Sequence, residues 1–133
     1  MSFHSELRRL ARKLKVRLTN DPEGVNATLN IAARLVSDGW TQGQSFRHSA
    51  GFNAYDIDGA IGAAVELAAS KDPVRTFWAA YAAVRRQLPA GYRTTIDYND
   101  ADGRTQAECV ELIKSAAKSH GALMKAQRKG TKA

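Results

Sequence analysis

Cysteine occurs once in this chain, at position 109, and a single thiol excludes an internal disulfide framework. No run of about 18 apolar residues is present, which excludes a hydrophobic spanning helix. The basic N-terminus is followed by no apolar h-region and no small-residue cleavage site, which argues against secretion. These absences lead to the expectation of a reducing, cytoplasmic setting. The three histidines, His4, His48 and His120, stand at no metal-ligand spacing from one another or from Cys109. The phosphate-binding loop, the dinucleotide glycine pattern and the nucleophile elbow are missing too. No metal, cofactor or catalytic residue is therefore assigned. The expectation is a protein that binds rather than catalyses.

Acid is also scarce, but only at the ends. Residues 1–20 hold six Lys/Arg against Glu6 alone, and residues 114–133 hold six against none. The stretch between them is mildly acidic, so the net charge of +7 belongs to the two ends. Ends of this kind meet anionic partners, either nucleic acid or an acidic protein. A chain of 133 residues, 44% hydrophobic and 25% charged, suits one globular domain with a core of its own.

Helical spacing dominates what is there. Phe3, Leu7, Leu10, Leu14 and Leu18 form a stripe about 100° wide at about 100° per residue. Arg8, Arg9, Arg12, Lys13, Lys15 and Arg17 occupy the rest, which predicts a basic amphipathic helix over 1–18. Thr19 to Glu23 read as a stop and a restart, with Pro22 in a first turn. The next helix, 22–38, has one apolar face through Val25, Leu29, Ala32 and Val36 and another through Ile31 and Leu35. Two such faces predict a central helix. Residues 40–56 show no sustained period and read as one long polar loop. Helices are predicted over 57–70 and 73–88, followed by a polar connection over 92–104. Thr105 and Glu108 have capping-box spacing and open a helix over 106–119; His120-Gly121 offers a stop, and Met124 would stay on the same apolar stripe if the helix continued. From Lys125 the chain, with Arg128 and Lys129, reads as a basic disordered tail. Thr94 to Tyr98 contains β-formers without a partner strand. The fold expectation is all-α: a single domain over 1–124, an irregular bundle of about five helices, and a tail over 125–133.

Several constellations have an ordinary explanation. Cys109 lies on an apolar stripe with no basic activator nearby in sequence, the pattern of a buried inert thiol. Asp97, Asn99 and Glu108 match three positions of a calcium loop, but Ala101 takes a ligand position and Gly103 comes one residue late. Turn chemistry ahead of a capping box accounts for them. A helix-turn-helix over 25–49 would need a recognition helix that Gly39, Gly43 and Gly51 shorten. The basic segment 1–18 is different, because its cations repel one another at i, i+4 and an anionic partner offsets that repulsion. Nothing stacks bases beside these cations, so contact would be to phosphates and tolerant of sequence.

Trp40-Thr41-Gln42-Gly43 with Arg47 and Gly51, then Asp58-Gly59-Ala60-Ile61, form the first part of a recognisable order. Tyr98-Asn99-Asp100, Gly103-Arg104-Thr105 and Glu108-Cys109-Val110 complete it. In this order the elements resemble the domain of unknown function 6197 family, small helical proteins of bacteria, especially actinobacteria, and their phages. The resemblance covers about residues 25–118 and leaves both basic ends outside. Where that family often has a Cys before its small-residue helix, this chain has Asp56 and Ile57. The resemblance implies no activity. It does imply that the two irregular stretches meet, joining Trp40, Gln42, Arg47, Asn99, Asp100 and Arg104 in one polar patch. That patch is either a knot of buried hydrogen bonds or a small-molecule site.

The functional expectation is a small basic binding protein. It contacts nucleic acid or another polyanion through Arg8, Arg9, Arg12, Lys13, Lys15, Arg17, Lys125, Arg128 and Lys129. The alternatives are a protein–protein adaptor or inhibitor of phage-accessory type using the apolar face of residues 1–18, and a ligand site at the Trp40/Arg104 patch. Nothing in the pattern fixes an oligomeric state.

Overall fold

The computed structural model describes residues 22–49 and 51–131. The predicted basic helix over 1–18, with its six cations, lies outside the described residues. Chain order is α1 (Pro22–Asp38), β1 (Phe46–Ser49), β2 (Phe52–Tyr55), α2 (Ile57–Leu67), α3 (Pro73–Arg85), α4 (Thr95–Asn99) and α5 (Gln106–Thr131). The sequence chemistry explains most of the starts. The Asp56 carboxylate accepts from Gly59 N–H at 2.6 Å and caps α2. Asp72 accepts from Arg75 N–H at 3.2 Å, and Pro73 takes the first turn of α3. At the start of α5 the capping box is complete. Glu108 N–H donates to Thr105 Oγ1 at 3.2 Å, and Thr105 N–H donates back to Glu108 Oε1 at 2.9 Å.

The two apolar faces of α1 have the consequence their spacing predicts, for α1 packs against α5, α2 and α3. One continuous core contains Val25, Leu29, Ala32 and Val36 of α1, Ile57, Ile61 and Ala64 of α2, Phe77 and Val84 of α3, and Cys109, Ile113 and Ala116 of α5. Leu29, Ile61 and Ile113 are completely buried. Each contributes on the order of 1.5–3 kcal/mol by leaving water. Phe77, Trp78 and Tyr81 add an aromatic cluster, with the Trp78 and Tyr81 rings edge to face at 5.4 Å.

Three expectations are corrected. The chain is mostly helical, but residues 40–56 are not a plain loop. Phe46–Ser49 and Phe52–Tyr55 pair as an antiparallel hairpin in the register Phe46–Tyr55, Arg47–Ala54, His48–Asn53 and Ser49–Phe52. Gly51 has φ +85°, the left-handed value that a tight reversal needs. The hairpin is held from outside. Tyr55 N–H donates to Gly39 C=O at 3.0 Å, and Thr41 N–H donates to Tyr55 C=O at 3.1 Å. A Cβ on Gly39 would collide with the Asn53 carbonyl, and one on Gly59 with the Ser45 carbonyl. These two glycines therefore let the hairpin lie directly on the end of α1 and the start of α2. Such contacts leave no period in the sequence.

The second correction concerns the polar connection over 92–104, which holds a short helix within it. Thr94 Oγ1 accepts from Asp97 N–H at 3.0 Å and opens the five-residue α4. The third concerns the C-terminus. Residues 125–131 are not a disordered tail but the last two turns of α5, a helix of 26 residues. His120-Gly121 does not stop it, because the core continues past that point. His120 and Met124 are buried at 1% and 5% exposure.

That extension changes how His120 must be read. It stands in mid-helix, so no C-terminal dipole explains it. Neither of its ring nitrogens has a hydrogen-bond partner. Burial pushes its pKa down from the usual 6.5, and the positive charge of Arg86 on the neighbouring helix end pushes it further. The sign of the linkage follows. The unfolded chain takes up a proton near pH 6.5 and the folded one resists it, so stability is full above that pH and falls as pH drops below it. Urea denaturation between pH 8 and pH 5 is expected to show this loss, and His120→Gln is expected to remove part of it. A His120→Gln profile parallel to wild type would contradict burial of the neutral ring.

Candidate functional site

The polar patch implied by the sequence forms, and Asn99 is its centre. Asn99 is completely buried at the C-terminal end of α4. Its Oδ1 accepts from the Trp40 indole N–H at 2.9 Å and from Ile57 backbone N–H at 3.1 Å. Its Nδ2 donates to Thr41 C=O at 3.0 Å and to Asp100 Oδ1 at 2.9 Å. The partners fix the orientation of the amide, because the first pair can only donate and the second pair only accept. All four hydrogen-bonding positions of one side chain are used, and they reach three separate stretches of chain. The Cys109 thiol adds a weak fifth contact to Oδ1 at 3.7 Å.

A second layer repeats the connection. Gln42 Nε2 donates to the carbonyls of Asn99 at 3.0 Å and Ala101 at 3.2 Å. Asp100 Oδ1 also accepts from Gly43 N–H at 3.0 Å. Beneath the network, the buried Thr95 hydroxyl donates to the buried Asp58 carboxylate and ties α4 to α2. Trp40, Gln42, Asn99 and Asp100 are thus brought together as expected.

Arg104 belongs to the same connection but plays another part. Its Nε donates to Tyr98 C=O at 2.8 Å, and its Nη1 donates to Glu108 Oε2 at 3.1 Å. The guanidinium lies 3.6 Å from the Tyr98 ring centroid and 5.2 Å from that of Tyr92, a cation–π stack. Arg104 thus makes no bond to the 40–47 loop with which the resemblance groups it. It clamps its own 92–108 connection, and Asn99 makes the link to the loop. Arg47 is the one residue of the predicted patch that stands apart, exposed on β1 opposite Ala54.

The electrostatics here favour structure over chemistry. Burial pushes the Cys109 thiol up to about 12, so it is protonated at neutral pH and a poor nucleophile. Burial also raises the Tyr98 phenol, with Arg104 opposing it. The Glu108 carboxyl is held below its usual range by hydrogen bonds from Thr105, first from its backbone, with help from Arg104. That carboxylate is fully occupied in the cap and the ion pair. Among the described residues no cluster of His, Cys, Asp or Glu could hold a metal ion. No described helix is long and apolar enough to cross a membrane.

Sequence reasoning missed Thr41, Ile57 and the Asp58–Thr95 pair. The backbone groups carry no signal at all. The Thr94-x-x-Asp97 spacing was a readable sign of α4 and so of where Asn99 would point.

Helices packed around α1, with a five-residue helix pinned to them by one buried amide and a hairpin bonded to the end of α1, define a small helical domain. The chain belongs to the family of unknown function DUF6197, whose model matches residues 20–119. The resemblance read over 25–118 falls inside that match. No curated protein and no solved structure matches the chain.

Asn99→Ala strands the Trp40 and Ile57 donors and the Thr41 acceptor together. Each stranded buried group costs about 1–3 kcal/mol, so the expected loss is about 3–5 kcal/mol in urea denaturation. Asn99→Asp is expected to fail as well, since it keeps the acceptor but sets two carboxylates side by side. A loss under about 0.5 kcal/mol for Asn99→Ala would show that the network does not hold the fold.

Proposed function

We propose that this protein binds nucleic acid by its phosphates, through the exposed face of α5 together with the basic segment 1–18. One observation carries the reading. Helix α5 continues twelve residues beyond the family match, from 119 to 131, and a row of exposed lysines runs along it. Lys114, Lys118 and Lys125 are all exposed. At about 100° per residue they fall within an arc of about 40°, and positions 128 and 129 extend that arc to about 100°. The buried positions Cys109, Ile113, Ala116 and His120 lie about 100° or more from these three lysines. No acid follows Glu111 in the sequence.

Rigidity supports the reading. A cation row on a helix keeps its spacing, whereas a disordered tail loses entropy when it is ordered on a partner. From position 114 to 129 the helix rises about 22 Å, the axial length of about six nucleotides in duplex DNA. The three lysines offer ammonium point charges alone, so phosphate contact without sequence preference is the expected mode. The alternatives lack support of the same kind. The apolar face of residues 1–18 lies outside the described residues, and the Trp40/Arg104 patch is filled by its own hydrogen bonds.

Binding to a fluorescent duplex, followed by anisotropy across a salt series, tests the proposal. Three to five phosphate contacts from α5 give a log–log slope of about −2.7 to −4.5, with segment 1–18 adding to it. Lys114→Gln, Lys118→Gln and Lys125→Gln together are expected to flatten the slope by about 2.7 while leaving the melting temperature near wild type. No binding at low salt, or an unchanged slope in the triple variant, would overturn the assignment of α5.

A further inference from the structure

The hairpin has a surface that neither the fold nor the polar network uses. Phe46 and Phe52 are 48% and 50% exposed, in a chain whose other phenylalanine in the described residues, Phe77, is buried. Arg47 and His48 between them are exposed as well. The register sorts these side chains. Phe46 and Tyr55, then His48 and Asn53, share one face, while Arg47 and Ala54, then Ser49 and Phe52, share the other. Each face of the ribbon therefore carries one half-exposed phenyl ring beside one basic or imidazole side chain. The Phe46 ring leans on Tyr55 at 5.2 Å, and His48 Nδ1 is hydrogen-bonded to Asn53 Oδ1 at 2.7 Å, so both are partly pre-oriented.

Charge names the occupant. From Gly39 to Tyr55 there is no acid, and Asp56, the first one, is buried in the α2 cap. The two rings stand on opposite faces and do not merge into one apolar patch. A protein interface needs about 800 Å² of continuous surface on each partner, which eight residues split over two faces do not supply. Isolated flat rings beside an arginine suit flat, separately presented π-faces on an anionic chain.

We infer that the β1–β2 ribbon is a stacking platform for single-stranded nucleic acid. Unpaired bases lie on Phe46 and Phe52, and the strand's phosphates lie against Arg47. The inference rests on the polyanion reading of α5, but it adds a base-dependent contact where α5 offers only a charge-dependent one. The two can fail separately. Stacking of this kind tolerates sequence, because every base has a π-face, but it requires that bases be present and unpaired.

The test uses the full chain and three probes of equal length: oligo-dT, the same backbone with abasic sites, and a duplex. Wild type is expected to bind oligo-dT more tightly than the abasic strand. Phe52→Ala and Phe46→Ala are each expected to weaken oligo-dT binding about 5- to 100-fold, while abasic and duplex binding stay as they were. Phe52→Trp keeps a stacking face and is expected to retain affinity. Equal wild-type affinity for dT and abasic strands overturns the inference, as does unaltered dT binding by both alanine variants. Loss of the duplex salt slope in the α5 lysine variant, with no effect of either Phe→Ala, keeps α5 and removes the ribbon. Phenylalanine-dependent dT binding that the lysine variant leaves unchanged does the reverse. Because Phe46 touches Tyr55, a melting temperature is taken for each variant. Phe52, whose ring is half in solvent, decides the matter if Phe46→Ala unfolds.

Discussion

The carboxamide of Asn99 is the constraint on which the placement of α4 and of the 40–43 stretch leading into the hairpin depends. The helices α1, α2, α3 and α5 bury an apolar core and need no polar instruction beyond their caps. The hairpin and α4 have almost no core of their own. Of the eight residues in the two strands, only Ala54 is fully buried. What fixes them is direction-dependent bonding: Asn99 joins α4 to Trp40, Thr41 and Ile57, Gln42 and Asp100 double that connection, and Tyr55 exchanges backbone bonds with Gly39 and Thr41 to seat the hairpin. A fully satisfied buried amide specifies one arrangement, because every slip of register leaves several groups without partners. Close approach by glycine is the other half of the device. Gly39 and Gly59 let backbone meet backbone where any side chain would hold the hairpin away.

The sequence was legible where its chemistry is local. The two faces of α1, the Asp72-Pro73 start of α3, and the Thr105/Glu108 box can each be read from a few adjacent residues. The extent of α5 was misjudged because Gly121 and a polar run suggested an end. In the structure His120 and Met124 still face the core, and burial outweighs the weak helix propensity of one glycine. The hairpin was missed for another reason. Four-residue strands with Arg47 and His48 exposed on them do not alternate cleanly, and they are held from outside by Gly39 and Thr41, which bond Tyr55. The patch was foreseen through a family resemblance, and four of its six residues meet as one hydrogen-bonded set. Arg104 is adjacent but clamps its own loop, and Arg47 lies on the hairpin surface.

Helix α5 links packing to the proposed function. One side carries Cys109, Ile113, Ala116 and His120 into the core, and the same rigid helix holds Lys114, Lys118 and Lys125 outward. The family match ends at residue 119, within this helix, so a shared core runs without a break into a basic extension. At the other end of α5, Gln106 Nε2 donates to the last carbonyls of α1 at 2.7 and 3.0 Å, next to Gly39, which bonds the hairpin through Tyr55.

The role of Asn99 can be measured directly at its indole partner. Hydrogen exchange of the Trp40 Nε1 proton, followed by nuclear magnetic resonance on the native protein, reports whether that donor is held. The account predicts protection close to that of core amides such as Ile61, since release requires the network to open as a unit. Exchange at the rate of a free indole, with Ile61 still protected, would contradict it.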